Sequence, residues 1–198
     1  MSARVFIVRH GNTFEKGDVV TRVGGRTDLP LSPSGLAQAE KLAAHFVGQG
    51  IVFATACSGP LRRTRQTADA ILATQASPPD LLTELFLREI DYGPDENRPE
   101  PEVVARVGQA AMEAWDKHGA PPPGWRVDPA ALVGNWQEMF SDLRGQPGDH
   151  LVVTSNGIAR FAIDAIGARR EDLKLATGAY GVIALGEPDE LTVWNQRP

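Results

Sequence analysis

The stretch Val152–Phe161, VVTSNGIARF, joins a bulky β-branched run to a short polar turn and then to residues spaced as in a helix. Strand, turn and helix within ten residues is the building unit of an α/β fold, and the turn lies where a parallel strand ends. The same alternation recurs on either side. Val5–Val8 is an apolar run of the kind that forms a strand covered on both faces. Ser32 is placed to cap a helix that Pro33 starts, with Leu36, Ala39, Leu42, Ala43, Phe46 and Val47 as its apolar stripe and Gly48 and Gly50 near its end. Residues 51–56 read as a second strand and 61–76 as a second helix carrying Ala68, Ile71 and Leu72 on one side. Beyond the opening stretch, a helix is expected over 157–166, a strand over 180–185, and a hairpin partner for it at Leu191–Trp194.

Between about Asp91 and Gly148 the pattern changes to proline- and glycine-rich loops around two helical stripes, with no obvious strand. The first stripe is Val103, Val104, Val107, Ala111, Ala114 and Trp115. The second follows Asp128 and Pro129 and runs through Leu132, Trp136, Met139, Phe140 and Leu143. Core packing is the preferred reading of both tryptophans. The expected architecture is therefore α/β, a three-layer α/β/α fold with a mostly parallel central sheet and a helical insert, within one domain spanning 1–198.

The chain has 198 residues, a formal net charge of -5, 42% hydrophobic and 23% charged residues. That balance is ordinary for a soluble protein and argues against nucleic acid or an anionic membrane as partner. Cys57 is the only cysteine and the four histidines are far apart in sequence, so neither a disulfide nor a metal cluster is expected, and no cofactor is called for. The apolar run before Arg9 is too short for a signal or spanning segment, and a cytoplasmic setting is expected.

Ligands of an open α/β sheet bind at the carboxyl ends of its strands. Three such ends carry polar groups: Arg9 to Thr13, Ser58 to Arg63, and Thr154 to Gly157. Arginine forks and an imidazole at one sheet end suit a phosphate, and a neutral imidazole flanked by cations is able to attack phosphorus. Two rival constellations are weaker. Ser155 resembles a nucleophile elbow, but every histidine precedes it and the first glycine of that motif is replaced by Val153. Cys57 and Arg63 have the C-x5-R spacing of a thiolate phosphate loop, yet Pro60 removes one amide from the would-be cradle; a small apolar role suits Cys57 better.

VRHGNT at 8–13, GGRTDLPLSPSG at 24–35, SGPLRRTRQTA at 58–68 and REIDYG at 88–93 together resemble the histidine phosphatase superfamily, the phosphoglycerate-mutase-like proteins, over nearly the whole chain. The resemblance implies that His10 is the nucleophile, that Arg9 and Arg63 clamp the phosphoryl group, and that Glu89 protonates the leaving alkoxide, with Asp91 as its understudy. Asn12 and Thr13 either donate to phosphate oxygens or cap the next turn. Arg22 and Arg26 either close over the substrate or are solvated loop charges.

One departure stands out against that pattern. The resemblance calls for a second histidine at the turn after the strand at 151–154, and Ser155 is read as standing in its place as a neutral phosphate-binding donor. Removal of one preorganised donor typically costs on the order of 3 kcal/mol of transition-state stabilisation. The expected function is a slow phosphomonoesterase acting on a small phosphorylated metabolite through a phosphohistidine. The alternatives are mutase-type phosphotransfer, against which Lys16 occupies a position where mutases usually carry Asn, and a non-catalytic phospholigand-binding protein.

Overall fold

The computed structural model describes residues 3–169 and 172–198. β1 (Ala3–Arg9) is followed by α1 (Pro33–Gly48), β2 (Phe53–Ser58), α2 (Arg62–Leu72) and the short β3 (Leu81–Thr83). Three helices come next, α3 (Glu100–Val107), α4 (Gln109–His118) and α5 (Pro129–Arg144). Then come β4 (Gly148–Thr154), the one-turn α6 (Asn156–Ala159), α7 (Phe161–Ala165), β5 (Tyr180–Leu185) and β6 (Glu190–Gln196). The strands form one sheet in the order β3-β2-β4-β1-β5-β6. β3, β2, β4 and β1 run parallel, whereas β5 and β6 add an antiparallel edge, as the hairpin reading required.

Alternation along β1 and β4 divides the core between the two faces. Phe6, Val8, Leu151 and Val153 pack with Leu42, Phe46 and Ile71 of α1 and α2. Val5, Ile7 and Val152 pack with Trp136, Phe140 and Phe161 of α5 and α7. α5 is thus a helix of the second outer layer. Its Trp136 is fully buried and donates Nε1–H to the Ile158 carbonyl at 3.1 Å, which satisfies the indole's polar edge.

Local chemistry accounts for the element boundaries. Ser32 Oγ accepts from Gly35 N–H and Asp128 Oδ1 from Ala131 N–H, so both expected caps are made. Leu36 and Val47, counted in the α1 stripe, are exposed. β2 begins two residues later than expected because Ile51 N–H is still bonded back to the Phe46 carbonyl. α2 stops at Leu72, four residues early, and Gln75 instead turns its amide onto the β2 approach, accepting from Phe53 N–H and donating to the Ile51 carbonyl. The first stripe of the middle region is two helices. Gly108, at φ +84°, breaks it between α3 and α4, a backbone conformation in which other residues are strained. The helix expected over 157–166 is likewise divided at Arg160. β3 escaped notice because only three residues pair and two of them are exposed.

Candidate active site

The parallel strands β1, β2 and β4 end side by side: Arg9 is in register with Thr154, and Ser58 with Val153. One more bond, His10 N–H to the Thr154 carbonyl at 3.1 Å, carries the ladder past the end of β1 and fixes the histidine backbone at the sheet edge. A cavity of about 530 Å³ opens there, with Arg9, His10, Thr13, Arg22, Glu89 and Asn156 on its wall.

The His10 ring is held at both nitrogens. Nδ1 lies 2.7 Å from the Gly11 carbonyl, which only accepts, and Nε2 lies 3.2 Å from Arg63 Nε, which only donates. Nδ1 therefore carries the proton and Nε2 keeps its lone pair. Burial, and then the Arg63 and Arg9 charges, hold the imidazole pKa well below its usual value, so the ring is neutral at physiological pH. An unprotonated Nε2 at the end of a parallel sheet is the form a nucleophile requires.

Arg63 is fully buried at the start of α2, behind the cavity wall; besides Nε, one Nη–H goes to the Thr27 carbonyl and another to the Gly24 carbonyl, which leaves one N–H on each Nη. Arg9 gives one Nη to the Leu175 carbonyl at 2.8 Å, while its Nε is buried with no partner. Glu89 is 7% exposed. Its carboxylate accepts from Ile90 N–H at 2.9 Å and Gly157 N–H at 3.4 Å. The third residue of Ser155-Asn156-Gly157 must be glycine for this approach, because a Cβ there would run into the Glu89 carboxylate. Arg160, buried, stacks its guanidinium 4.3 Å over the Trp115 ring and, with Arg9 and Arg63, feels the Glu89 charge. Three guanidinium groups thus lie within the field of one buried carboxylate, Glu89.

The remaining sequence candidates divide clearly. Thr13 lines the cavity. Asn12 also reaches it, but its side chain accepts from Thr177 Oγ1 and donates to Ser34 Oγ, so it braces the loop onto α1. Arg22 lines the cavity in an ion pair with Glu100, stacked on Tyr92 and Trp125. Arg26 and Asp91 lie outside it, paired with each other at 3.0 Å, and Arg126 also meets Asp91. Arg62 is exposed.

The turn of the opening stretch is placed differently from its sequence reading. Ser155 is 0% exposed, is absent from the cavity wall, and buries its Oγ without a partner. Asn156, one residue on, is the side chain that reaches the cavity, since a single step along extended chain reverses the direction a side chain takes. Sequence reasoning also passed over Arg160, and it assigned Trp115 to the core without seeing that the same ring walls the cavity.

Cys57 belongs elsewhere. It is half-buried against a separate cavity of about 650 Å³ beside α5, and burial together with Glu84 pushes its thiol up to about 12. A protonated thiol is a poor nucleophile, and Arg63 turns toward His10. Among the described residues no His, Cys, Asp and Glu group is assembled to hold a metal ion, and no helix is long and apolar enough to cross a membrane.

A neutral imidazole, convergent guanidinium groups and a carboxylate at the carboxyl end of a parallel sheet define a site for anion chemistry on an α/β scaffold. The chain belongs to the histidine phosphatase superfamily, whose branch 1 model matches residues 5–185. A Proteus mirabilis (strain HI4320) protein named "Probable phosphoglycerate mutase GpmB" is 38% identical over 114 residues, which cover 58% of this chain and 48% of that protein. The match thus spans about half the length of that relative. The crystal structure of the alpha-ribazole phosphatase from Shigella flexneri is similar with a TM-score of 0.75 at 20% identity, over 98% of this chain and 96% of that one. The mycobacterial glucosyl-3-phosphoglycerate phosphatase gives 0.81 at 18% identity, over 98% and 99%. These two likenesses establish a shared fold.

Proposed function

We propose that the protein is a phosphomonoesterase that hydrolyses a small phosphorylated metabolite through a phosphohistidine at His10. The observation that carries the reading is the His10 ring itself: neutral, its Nδ1–H committed to Gly11, and its Nε2 lone pair held beside Arg63 at the carboxyl end of the parallel strands. In the first step Nε2 attacks phosphorus and the ester P–O bond breaks. Arg9 and Arg63 take the phosphoryl oxygens, Thr13 adding a hydroxyl donor, and Glu89 passes a proton taken up together with the substrate to the departing alkoxide. In the second step Glu89 takes a proton from water as its oxygen attacks phosphorus, the P–N bond breaks, and the lone pair returns to Nε2. The sum is ester plus water to alcohol plus phosphate. Of the turn after β4 only Asn156, a neutral amide, lines the cavity, so turnover is slow beside a site with a charged donor there.

Hydrolysis is favoured over phosphoglycerate isomerisation by the charges around the leaving group. A phosphoglycerate brings a carboxylate as well as its phosphate. Beyond the His10 clamp, Arg22 is already neutralised by Glu100, and Glu15 and Asp116 add further carboxylates to the cavity wall against the single Lys16. An uncharged or hydroxyl-bearing leaving group fits that lining better.

The test is a panel of phosphomonoesters with His10→Ala as the blank, run beside isomerisation of 3-phosphoglycerate. Phosphate release above the blank, with a trapped acid-labile phosphoenzyme, is the expected result. Isomerisation outrunning hydrolysis would establish a mutase. Tight binding of esters with neither reaction would establish a phospholigand-binding protein.

A further inference from the structure

The charges on the wall of the His10 cavity are layered by depth. Arg9, its Nε buried without a partner, forms the floor with His10 and Glu89, which are 6% and 7% exposed. Farther out the charges answer one another in pairs. Arg22 is held by Glu100, and Lys16 follows Glu15, whose carboxylate accepts from Ser34 N–H at 2.7 Å. Asp116 of α4 is left over. It is exposed at the cavity mouth, and among the described residues it enters no ion pair or hydrogen bond; the next residue, Lys117, pairs with Glu113 at 4.0 Å instead. Arg160 does not take that role, because it is buried behind the wall against the Trp115 carbonyl and ring and feels Glu89 before Asp116. The cavity therefore has a cationic clamp at one end and an unanswered carboxylate at the other.

We propose that the substrate is the phosphate monoester of a small amino alcohol, its ammonium group paired with Asp116 while its phosphate lies over His10. The proposal rests on the phosphomonoesterase reading for the reaction and adds to it the charge of the leaving group; the products are the amino alcohol and phosphate. A ligand with one group of each sign matches both ends of a cavity of about 530 Å³, whereas a second anion on the leaving group meets Asp116 with no cation to offset it. Lys16 does not reverse that preference, since Glu15 stands beside it in the same wall. Asp116 meets the part of the substrate that does not react, so it selects the ester and its contribution belongs in KM.

The experiment compares 2-aminoethyl phosphate with ethyl phosphate on the full chain, in wild type, Asp116→Asn and Asp116→Lys, with His10→Ala as the blank and circular dichroism and melting as the check on folding. The readout is the ratio of kcat/KM for the two esters. Their difference in intrinsic reactivity cancels when the ratio of one protein is divided by that of another. A partly exposed ion pair supports a fall in this ratio of about 3–5-fold in Asp116→Asn, carried by KM, and a larger fall in Asp116→Lys. The wild-type ratio should also shrink at high salt. A ratio that neither substitution changes overturns the proposal and leaves the phosphatase reading intact. Where the wild type releases no phosphate from either ester, calorimetry decides. Tighter binding of 2-aminoethyl phosphate than of ethyl phosphate, lost in Asp116→Asn, upholds the amino-alcohol ligand and sinks the phosphatase reading. Equal or absent binding of the two esters, with no turnover, overturns both.

Discussion

Protonation of His10 is opposed by its burial and by the Arg63 and Arg9 charges, which outweigh the Gly11 carbonyl, and this makes stability depend on pH through the imidazole. A proton on Nε2 would face the Arg63 Nε–H at 3.2 Å, losing that bond and placing two cations together in a buried site. In the unfolded chain the same imidazole titrates near its ordinary value of about 6.5. Below that value the unfolded state binds a proton that the native state does not, so stability must fall as pH falls. The slope approaches about 1.4 kcal/mol per pH unit, and the integrated loss from this one group between about pH 7.5 and pH 5.5 is about 1.4 kcal/mol. The contribution is fully present above about 6.5 and is lost progressively below it. The assay is urea unfolding at both pH values for wild type and for His10→Gln, whose side chain does not titrate. Other titrating groups cancel in the difference, so the wild type is expected to lose about 1.4 kcal/mol more than the variant over that interval. Equal losses would mean that His10 takes up a proton in the folded protein, and the neutral, nucleophile-ready imidazole would have to be abandoned.

Glu89→Gln keeps the shape but removes the transferable proton; kcat for alkyl phosphates is expected to drop by about 10²–10⁴-fold. The drop for 4-nitrophenyl phosphate, whose leaving group needs little protonation, should be much smaller, and equal losses on both substrates would show that Glu89 is no proton donor. Cys57, with its thiol held near 12, should resist iodoacetamide at neutral pH, and Cys57→Ala should retain activity. Rapid alkylation accompanied by inactivation would revive the thiolate reading. Trp136→Ala removes a fully buried indole and strands the Ile158 carbonyl, at an expected cost of about 3–5 kcal/mol in urea unfolding, and a loss under 1 kcal/mol would show that α5 is not integral to the core.

The sheet was legible because its strands are buried and its helices announce their own beginnings. Val5–Val8 and Leu151–Val153 are apolar on both faces, and Ser32-Pro33 and Asp128-Pro129 spell out caps that the structure forms. Ends were harder to read, because they are decided by partners distant in sequence: Gln75 reaching back to Phe53, or Phe46 holding Ile51. The strand-end rule pointed to Arg9–Thr13, Ser58–Arg63 and Thr154–Gly157, segments that the structure brings together at one sheet edge, whereas Glu89 and Ser155 were named from the family resemblance. At the turn after β4 it is Asn156, not Ser155, that lines the cavity. The direction of a side chain where a strand gives way to a helix depends on a single residue of register, and no periodicity survives in a three-residue turn to set it. Arg160 was missed for a different reason. It lies among apolar residues in a short helix, and only the tertiary contact with Trp115 reveals that its charge turns inward.

In the proposed reaction the electrostatics of the site couple ligand binding to the reactivity of His10. In the free protein the Arg63 and Arg9 charges depress the His10 pKa, and Arg63 occupies the Nε2 lone pair. A neutral but occupied imidazole is protected from protonation and from idle reaction. In the proposed reaction an arriving phosphate dianion draws the guanidinium donors onto its oxygens, which releases the lone pair. Its negative charge also offsets the field that had lowered the pKa, so Nε2 becomes more basic and more nucleophilic only when phosphorus is in front of it. The field felt by His10 is governed by Arg63 and Arg9, the charges that hold its pKa down in the free protein. Arg63→Met should therefore raise the His10 pKa in the free protein while weakening phosphate binding, and titration of the imidazole by NMR with and without inorganic phosphate reads both effects. A pKa that stays put when Arg63 is removed would show that burial alone keeps the imidazole neutral and that the coupling is absent.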